Sequence, residues 1–322
     1  MSDFSSPKPT HGRKSAGERR HNVEFDAGLV RIPAQTVVVG SDAHYPEEAP
    51  AKAVSVDEFW IQANSVTNTQ FAEFVDATGY VTVAERQLDP AAYPDAPAEN
   101  LQPGSMVFTR TQGPVDLRHL SQWWAWTPGA SWRHPVGPRS SIDKRADHPV
   151  VHVAYEDATA YAQWAGLELP TEAQWEVAAR GGLDAAPYTW GDEPEQPAQR
   201  LANYWHGDFP WRPDPGYGRT APVGSFPANG YGLFDMAGNV WEWTTDWYAD
   251  TRESDGCCEA GSYDQRQPQF QVPRRVIKGG SFLCADNYCL RYRPAARRPQ
   301  PIDTGMSHIG FRCISQTVPA MM

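Results

Sequence analysis

Apolar residues along this chain recur with a helical period in a few short stretches and only fitfully elsewhere. In "SVTNTQFAEFVDATGY" (65–80), Phe71, Phe74 and Val75 form one stripe, Thr67 followed by Gln70 makes a capping box, and Gly79 supplies the stop. "YEDATAYAQWAG" (155–166) places Tyr161, Trp164 and Ala165 on one face and ends at Gly166. "LPTEAQWEVAARGG" (169–182) repeats the box with Thr171 and Gln174, turns Trp175 and Ala178 inward and stops at Gly181 and Gly182. These predict amphipathic helices. Partial alternation in "VSVDEFWI" (54–61) predicts a strand, and "HPVVHVAYE" (148–156) reads as another. After Gly182 the pattern dissolves into short strands and turns punctuated by Pro and Gly. Residues 87–148 hold few clear elements but carry Trp123, Trp124, Trp126 and Trp132, which predicts packed loops, and the polar run 249–273 predicts an exposed one. No composition break or repeat divides the chain, so the expectation is an irregular α+β fold in one domain.

Composition sharpens this in a few respects. With 322 residues, 40% of them hydrophobic, material for a core is ample. Thirteen Trp and thirteen Tyr against six Met suit either an aromatic core or clefts that recognise an extended polypeptide. A net charge of −11 argues against nucleic acid as a partner, because no excess of basic residues exists to neutralise phosphates. Residues 1–24 are polar and basic (Lys8, Arg13, Lys14, Arg19, Arg20), with no apolar segment of signal-peptide length, and are expected to form a disordered tail. No stretch approaches the roughly eighteen apolar residues of a membrane span, so a cytoplasmic protein with no membrane partner is expected.

Five cysteines, an odd count, are too sparse for a disulfide scaffold of this length, which leaves reduced thiols as the expectation. Zinc is a poor fit without a second closely spaced Cys or His pair beyond the adjacent Cys257 and Cys258. Cys284 and Cys289 sit in "GGSFLCADNYCLRYRPAARRP" (279–299). On a strand, residues at this spacing point to opposite faces, and on a helix they lie well over a right angle apart, so the sulfurs meet only if the backbone curls. Spacing alone leaves open a local disulfide, two buried thiols, or a pair of soft ligands suited to Cu(I) or redox work. Ser281 reads equally as a turn serine after two glycines. Arg291 and Arg293 would share one face of a strand, solvated or ion-paired. In "DMAGNVWE" (235–242), Asp235 and Glu242 offer hard oxygens around a glycine turn, which suits Ca²⁺ or, alternatively, a helix cap and an ion pair.

"YPEEAP", "SVTNTQFAEFVDATGY", "HPVVHVAYEDATAYAQWAGLELPTEAQWEVAARGG", "NGYGLFDMAGNVWEWTTDWY" and "IKGGSFLCADNYCLRYRPAARRP…HIGFRC" together resemble the formylglycine-generating enzyme (sulfatase-modifying factor) family. The resemblance implies a loop-rich α+β single domain with a C-type-lectin-like core, spanning residues 25–318. It implies an oxidase that uses O₂ and a copper(I) ion held by Cys284 and Cys289. The reaction turns the cysteine of a C-x-P-x-R motif in an unfolded sulfatase into formylglycine. Ser281 matches the family's active-site serine, Trp241, Arg297 and Tyr288 fall in the implied substrate groove, and His308 stands near it where the family often has Asn. Calcium would be held by Asp235, Gly238, Val240 and Glu242. A second calcium maps to Asn203 and Tyr204 with Asp214 and Tyr217 in "PDPGYG", a loop two residues short with Pro215 where the family has an acidic ligand. The family's disulfide partner of Cys313 is Ala162 here, and Pro294 replaces another paired cysteine, so Cys313 is expected to be free.

Alternative readings come from other classes. Iron-dependent sulfoxide synthases share the resemblance but need an H-x₃-H-x-E triad; His148 and His152 match its start, with Ala154 at the third position. A non-catalytic binding module on the same scaffold is the other, since fold does not fix function.

Overall fold

Thr67 and Thr171 start helices by the same local device. Each side chain accepts a hydrogen bond from the backbone N–H three residues on, while Gln70 and Gln174 reach back to the threonine N–H at 2.9 Å. Gly79 (φ 68°) and Gly181 (φ 61°) close these helices in the left-handed region. The computed structural model describes residues 28–91, 101–196, 198–250, 259–267 and 271–317. The basic tail and the pair Cys257 and Cys258 lie outside these described residues.

The described elements run β1 (Leu29–Ile32), β2 (Gln35–Val39), β3 (Lys52–Val56), β4 (Phe59–Gln62), α1 (Asn68–Thr78), β5 (Gly104–Phe108) and β6 (Trp124–Pro128). They continue with α2 (Tyr155–Trp164), α3 (Glu172–Arg180), β7 (Gly207–Asp208), β8 (Arg212–Pro213), β9 (Trp241–Trp247), β10 (Arg274–Lys278), β11 (Arg297–Pro301), β12 (Ile309–Gly310) and β13 (Ile314–Ser315). The largest sheet has the order β11-β10-β9-β12, and a smaller one has the order β1-β4-β13. The result is mixed α+β and rich in loops, as expected.

Three sequence expectations change. The strand expected over 54–61 is two strands, because polar Asp57 and Glu58 interrupt it; β3 pairs with β2, and β4 joins β1 and β13. "HPVVHVAYE" is not a strand: His152 takes φ 62°, and the segment instead donates single hydrogen bonds, from Val150 to Val66 and from His152 to Met306. The region 87–148 holds more than loops, since β5 and β6 form an antiparallel ribbon.

Phe71 and Phe74 from α1 meet Tyr161 from α2 with Trp132 and Phe311, at ring separations of 5.1 to 6.4 Å. This aromatic core backs β9, where the period of two matters most. Trp241 and Trp243 face one way, and Glu242 faces the other, toward α3. Cross-strand register then carries the division outward: Ile277 and Arg298 pair on the Trp face, and Lys278 and Arg297 pair on the α3 face.

Candidate active site

The chain curls between Ser281 and Cys289 through consecutive short hydrogen bonds. Cys284 N–H donates to the Ser281 carbonyl at 2.9 Å, and Tyr288 and Cys289 N–H both donate to Ala285 at 2.9 and 2.7 Å. The curl enters through Gly280, at φ 72°, where an added Cβ would lie 2.7 Å from the Arg291 carbonyl. It leaves the two sulfurs 3.4 Å apart, buried and unbridged. The spacing of five is thus the span of a single helical-type turn plus its approach.

Arg291 and Arg293 do not lie on a strand. They reach back to the 3₁₀ turn Pro46–Glu48: Arg291 pairs with Glu47 at 2.6 Å, and Arg293 meets both oxygens of Glu48 at 2.9 and 2.5 Å. Tyr45 lies under the Arg291 guanidinium at 3.7 Å and accepts from Leu290 N–H. The N-terminal "YPEEAP" segment therefore clamps the cysteine loop, a role the sequence reading did not assign to Glu47 and Glu48.

The sulfurs form the base of a cleft of about 330 Å³ lined by aromatic rings and by Ser281, Arg298, Gln300 and His308. Burial pushes the Cys284 thiol up, whereas the hydrogen bond from Cys284 holds Cys289 down, to about 6, with Arg298 and Arg291 adding to the effect. These opposite directions favour Cys284 as the donor and Cys289 as the thiolate of the pair. Two facing soft sulfurs at the cleft base fit a copper(I) ion by donor chemistry. Ser281 lines the cleft fully buried, its hydroxyl accepting from Leu283 N–H at 3.2 Å.

Trp241, Tyr288 and His308 line this cleft. Tyr288 stacks on Phe209 at 4.6 Å, and His308 packs on Trp124 at 4.8 Å. Burial, then the charges of Arg298 and His152, push His308 well below the usual histidine range, so its ring is neutral, and its buried Nδ1 has no partner among the described residues. Arg297 is a correction. It points to the α3 face, 3.0 Å from Glu172, and donates to the Glu47 and Ala249 carbonyls, while its neighbour Arg298 occupies the cleft. A one-residue step on a strand exchanges faces.

The oxygen-ligand readings part ways. Asp235 Oδ2 accepts from Gly224 N–H, but its buried Oδ1 has no partner among the described residues, which leaves an oxygen a cation can use. Both oxygens of Glu242 are already engaged, by Arg312, Ser65 and Trp175 at 2.7 to 2.9 Å, so this carboxylate serves as the counter-ion of Arg312. At the second mapped site Asn203 Nδ2 donates to Arg219 and Asn239, and Tyr204 reaches Glu195. The Arg200 guanidinium bridges Glu195 and Asp214 at 3.1 and 3.4 Å, and Tyr217 packs on His206. With that cation in place, the cluster does not fit a second calcium. The iron reading also fails on geometry, because both ring nitrogens of His152 are committed, to Ser105 and to the Pro135 carbonyl.

Residues 16–317 match the family of sulfatase-modifying factor enzyme 1-like domains. A formylglycine-generating enzyme of Mycobacterium tuberculosis is 55% identical over 300 residues, covering 90% of this chain and 98% of that protein. A mouse protein named inactive C-alpha-formylglycine-generating enzyme 2 is 36% identical, covering 90% and 86%. Among solved structures, PvdO from Pseudomonas aeruginosa superposes with a TM-score of 0.59 at 24% identity, covering 90% of this chain and 94% of that one, a likeness of fold alone. The chain belongs to the sulfatase-modifying factor (formylglycine-generating enzyme) family.

Proposed function

We propose that this protein is an O₂-dependent oxidase that converts the cysteine of a C-x-P-x-R motif in an unfolded sulfatase to formylglycine. The observation that carries the reading is the Cys284 and Cys289 sulfur pair, 3.4 Å apart at the base of an aromatic cleft. An extended peptide laid along Trp241 and Tyr288 would bring its own thiol to that pair. Copper(I), when held by Cys284 and Cys289, supplies the oxygen chemistry. The chain's own residues do the rest: the hydrogen bond from Cys284, then the charges of Arg298 and Arg291, favour an anionic Cys289, Ser281 offers a hydroxyl at the cleft wall, and the rings exclude water. Neutral His308 offers Nδ1 to a substrate backbone group.

Calcium at the 235–242 turn would draw on Asp235 Oδ1 with the Gly238 and Val240 carbonyls, and would steady the turn that carries Trp241. The non-catalytic reading has in its favour that a relative is named inactive. The facing sulfurs here favour chemistry.

The test is incubation of copper-loaded protein with a C-x-P-x-R peptide in air. Mass loss at the cysteine together with hydrazide reactivity is expected. A peptide left unchanged under every copper condition would turn the reading to a binding module.

A further inference from the structure

Arg298 is the one charged side chain lining the cleft apart from the cysteines, since the lining holds no Asp, Glu or Lys and His308 is neutral. Its place follows from register: it pairs with Ile277 on the Trp241 face, whereas Arg297 pairs with Lys278 on the other. Neighbouring arginines are matched to carboxylates, Arg291 to Glu47, Arg293 to Glu48, Arg297 to Glu172 and Arg312 to Glu242. Arg298 has no such partner among the described residues. The charge of Arg298 acts on Cys289 across the cleft, but the sulfur contact, at 3.9 Å, is made by Arg291, which leaves the donors of Arg298 without a hydrogen-bond partner among the described residues. A half-buried guanidinium whose donors face a cleft with no carboxylate loses hydration that a hydrogen-bonding anion can restore.

We propose that Arg298 is a specificity-determining residue that receives a carboxylate side chain of the bound polypeptide close to the reacting cysteine. The proposal rests on the oxidase reading above and names a substrate preference for it. A cleft of about 330 Å³ that also holds the sulfurs limits the carboxylate to about two residues from the target, at roughly 3.4 Å per extended residue. The planar fork of arginine suits a carboxylate in two-point contact. A chain of net charge −11 repels acidic peptides at long range, so an acidic preference would have to arise locally, inside the cleft.

Peptides carrying C-x-P-x-R with Glu or Gln at each of the two preceding positions provide the test. Both kcat/KM and equilibrium binding, read by fluorescence of the cleft tryptophans, are measured for wild type, Arg298→Met and Arg298→Lys. At one of the positions wild type should favour Glu over Gln by about tenfold, less at high salt. The ratio should fall to near one in Arg298→Met and lie between in Arg298→Lys. A ratio near one in wild type, or an unchanged ratio in Arg298→Met whatever happens to the overall rate, overturns the proposal. If no peptide is turned over, the oxidase reading fails, and the binding ratio alone still decides the role of Arg298.

Discussion

Glu48, in the N-terminal part of the chain, holds Arg293, four residues beyond Cys289, through two hydrogen bonds of 2.5 and 2.9 Å, with both side chains almost wholly out of water. Removing one member of such a pair strands the other charge. Glu48→Ala is therefore expected to cost about 3–5 kcal/mol in denaturant unfolding. A loss below about 1 kcal/mol, the scale of an exposed pair, would show that the clamp is not a buried ion pair in solution.

Cys289 titrates low chiefly because Cys284 donates to it, so the donor can be removed or kept by choice of substitution. Ultraviolet thiolate absorbance of the metal-free protein should show the first ionisation near pH 6 in wild type and in Cys284→Ser, and clearly higher in Cys284→Ala. The folded value lies below the unfolded one. The stabilisation is thus complete above the ordinary thiol range and is lost as pH falls through about 6. Equal titration of the Ala and Ser variants would contradict the shared hydrogen bond.

Asp235 is raised by burial to about 6 from an ordinary 3.8. The native state keeps this proton longer than the unfolded chain, so the group makes stability fall as pH rises from about 4 to about 6 and adds no slope above. Asp235→Asn should gain on wild type across that window in chelator. Calcium should raise the wild-type midpoint, by an amount equivalent to about 2.7 kcal/mol at a hundred times its Kd, and leave the Asn variant unmoved. Equal calcium shifts in both would assign Asp235 to the turn alone.

Gly280 sits at φ 72° with backbone atoms of Arg291 and Tyr292 under 3 Å from where a Cβ would be. Gly280→Ala should destabilise by about 1–3 kcal/mol and disturb the cysteine loop first. Slowed thiol titration kinetics or a changed Cys289 ionisation would report that disturbance, and a neutral substitution would show that the loop relaxes freely.

Local signals were readable where local energetics decide. The boxes at Thr67 and Thr171 and the stops at Gly79 and Gly181 predicted α1 and α3 because each is closed within a few residues. The curl between Cys284 and Cys289 was readable as a necessity, since no regular element lets those sulfurs meet. β11 was hidden: "RRPQP" reads as a proline-rich loop, and it is a strand only because it lies at a sheet edge, where Pro299 and Pro301 need not donate to a further neighbour. Without that strand its alternation is unreadable, and the resemblance names Arg297 where the cleft holds Arg298. The clamp of Glu47 and Glu48 on Arg291 and Arg293 joins residues 244 and 245 positions apart, a distance at which one sequence carries no pairing signal. At His152, tertiary hydrogen bonds override the β-branched pattern around it.

The central claim is that the two cysteines do the chemistry while the cleft does the binding. Its most direct measurement is aldehyde formation on a C-x-P-x-R peptide by copper-treated wild type, Cys284→Ala and Cys289→Ala, in air and under strict anaerobiosis, with peptide binding recorded in parallel. Turnover by wild type in air alone is expected, with neither variant forming aldehyde and both still binding the peptide. Undiminished aldehyde formation by either variant, or wild-type turnover without O₂, would contradict the account.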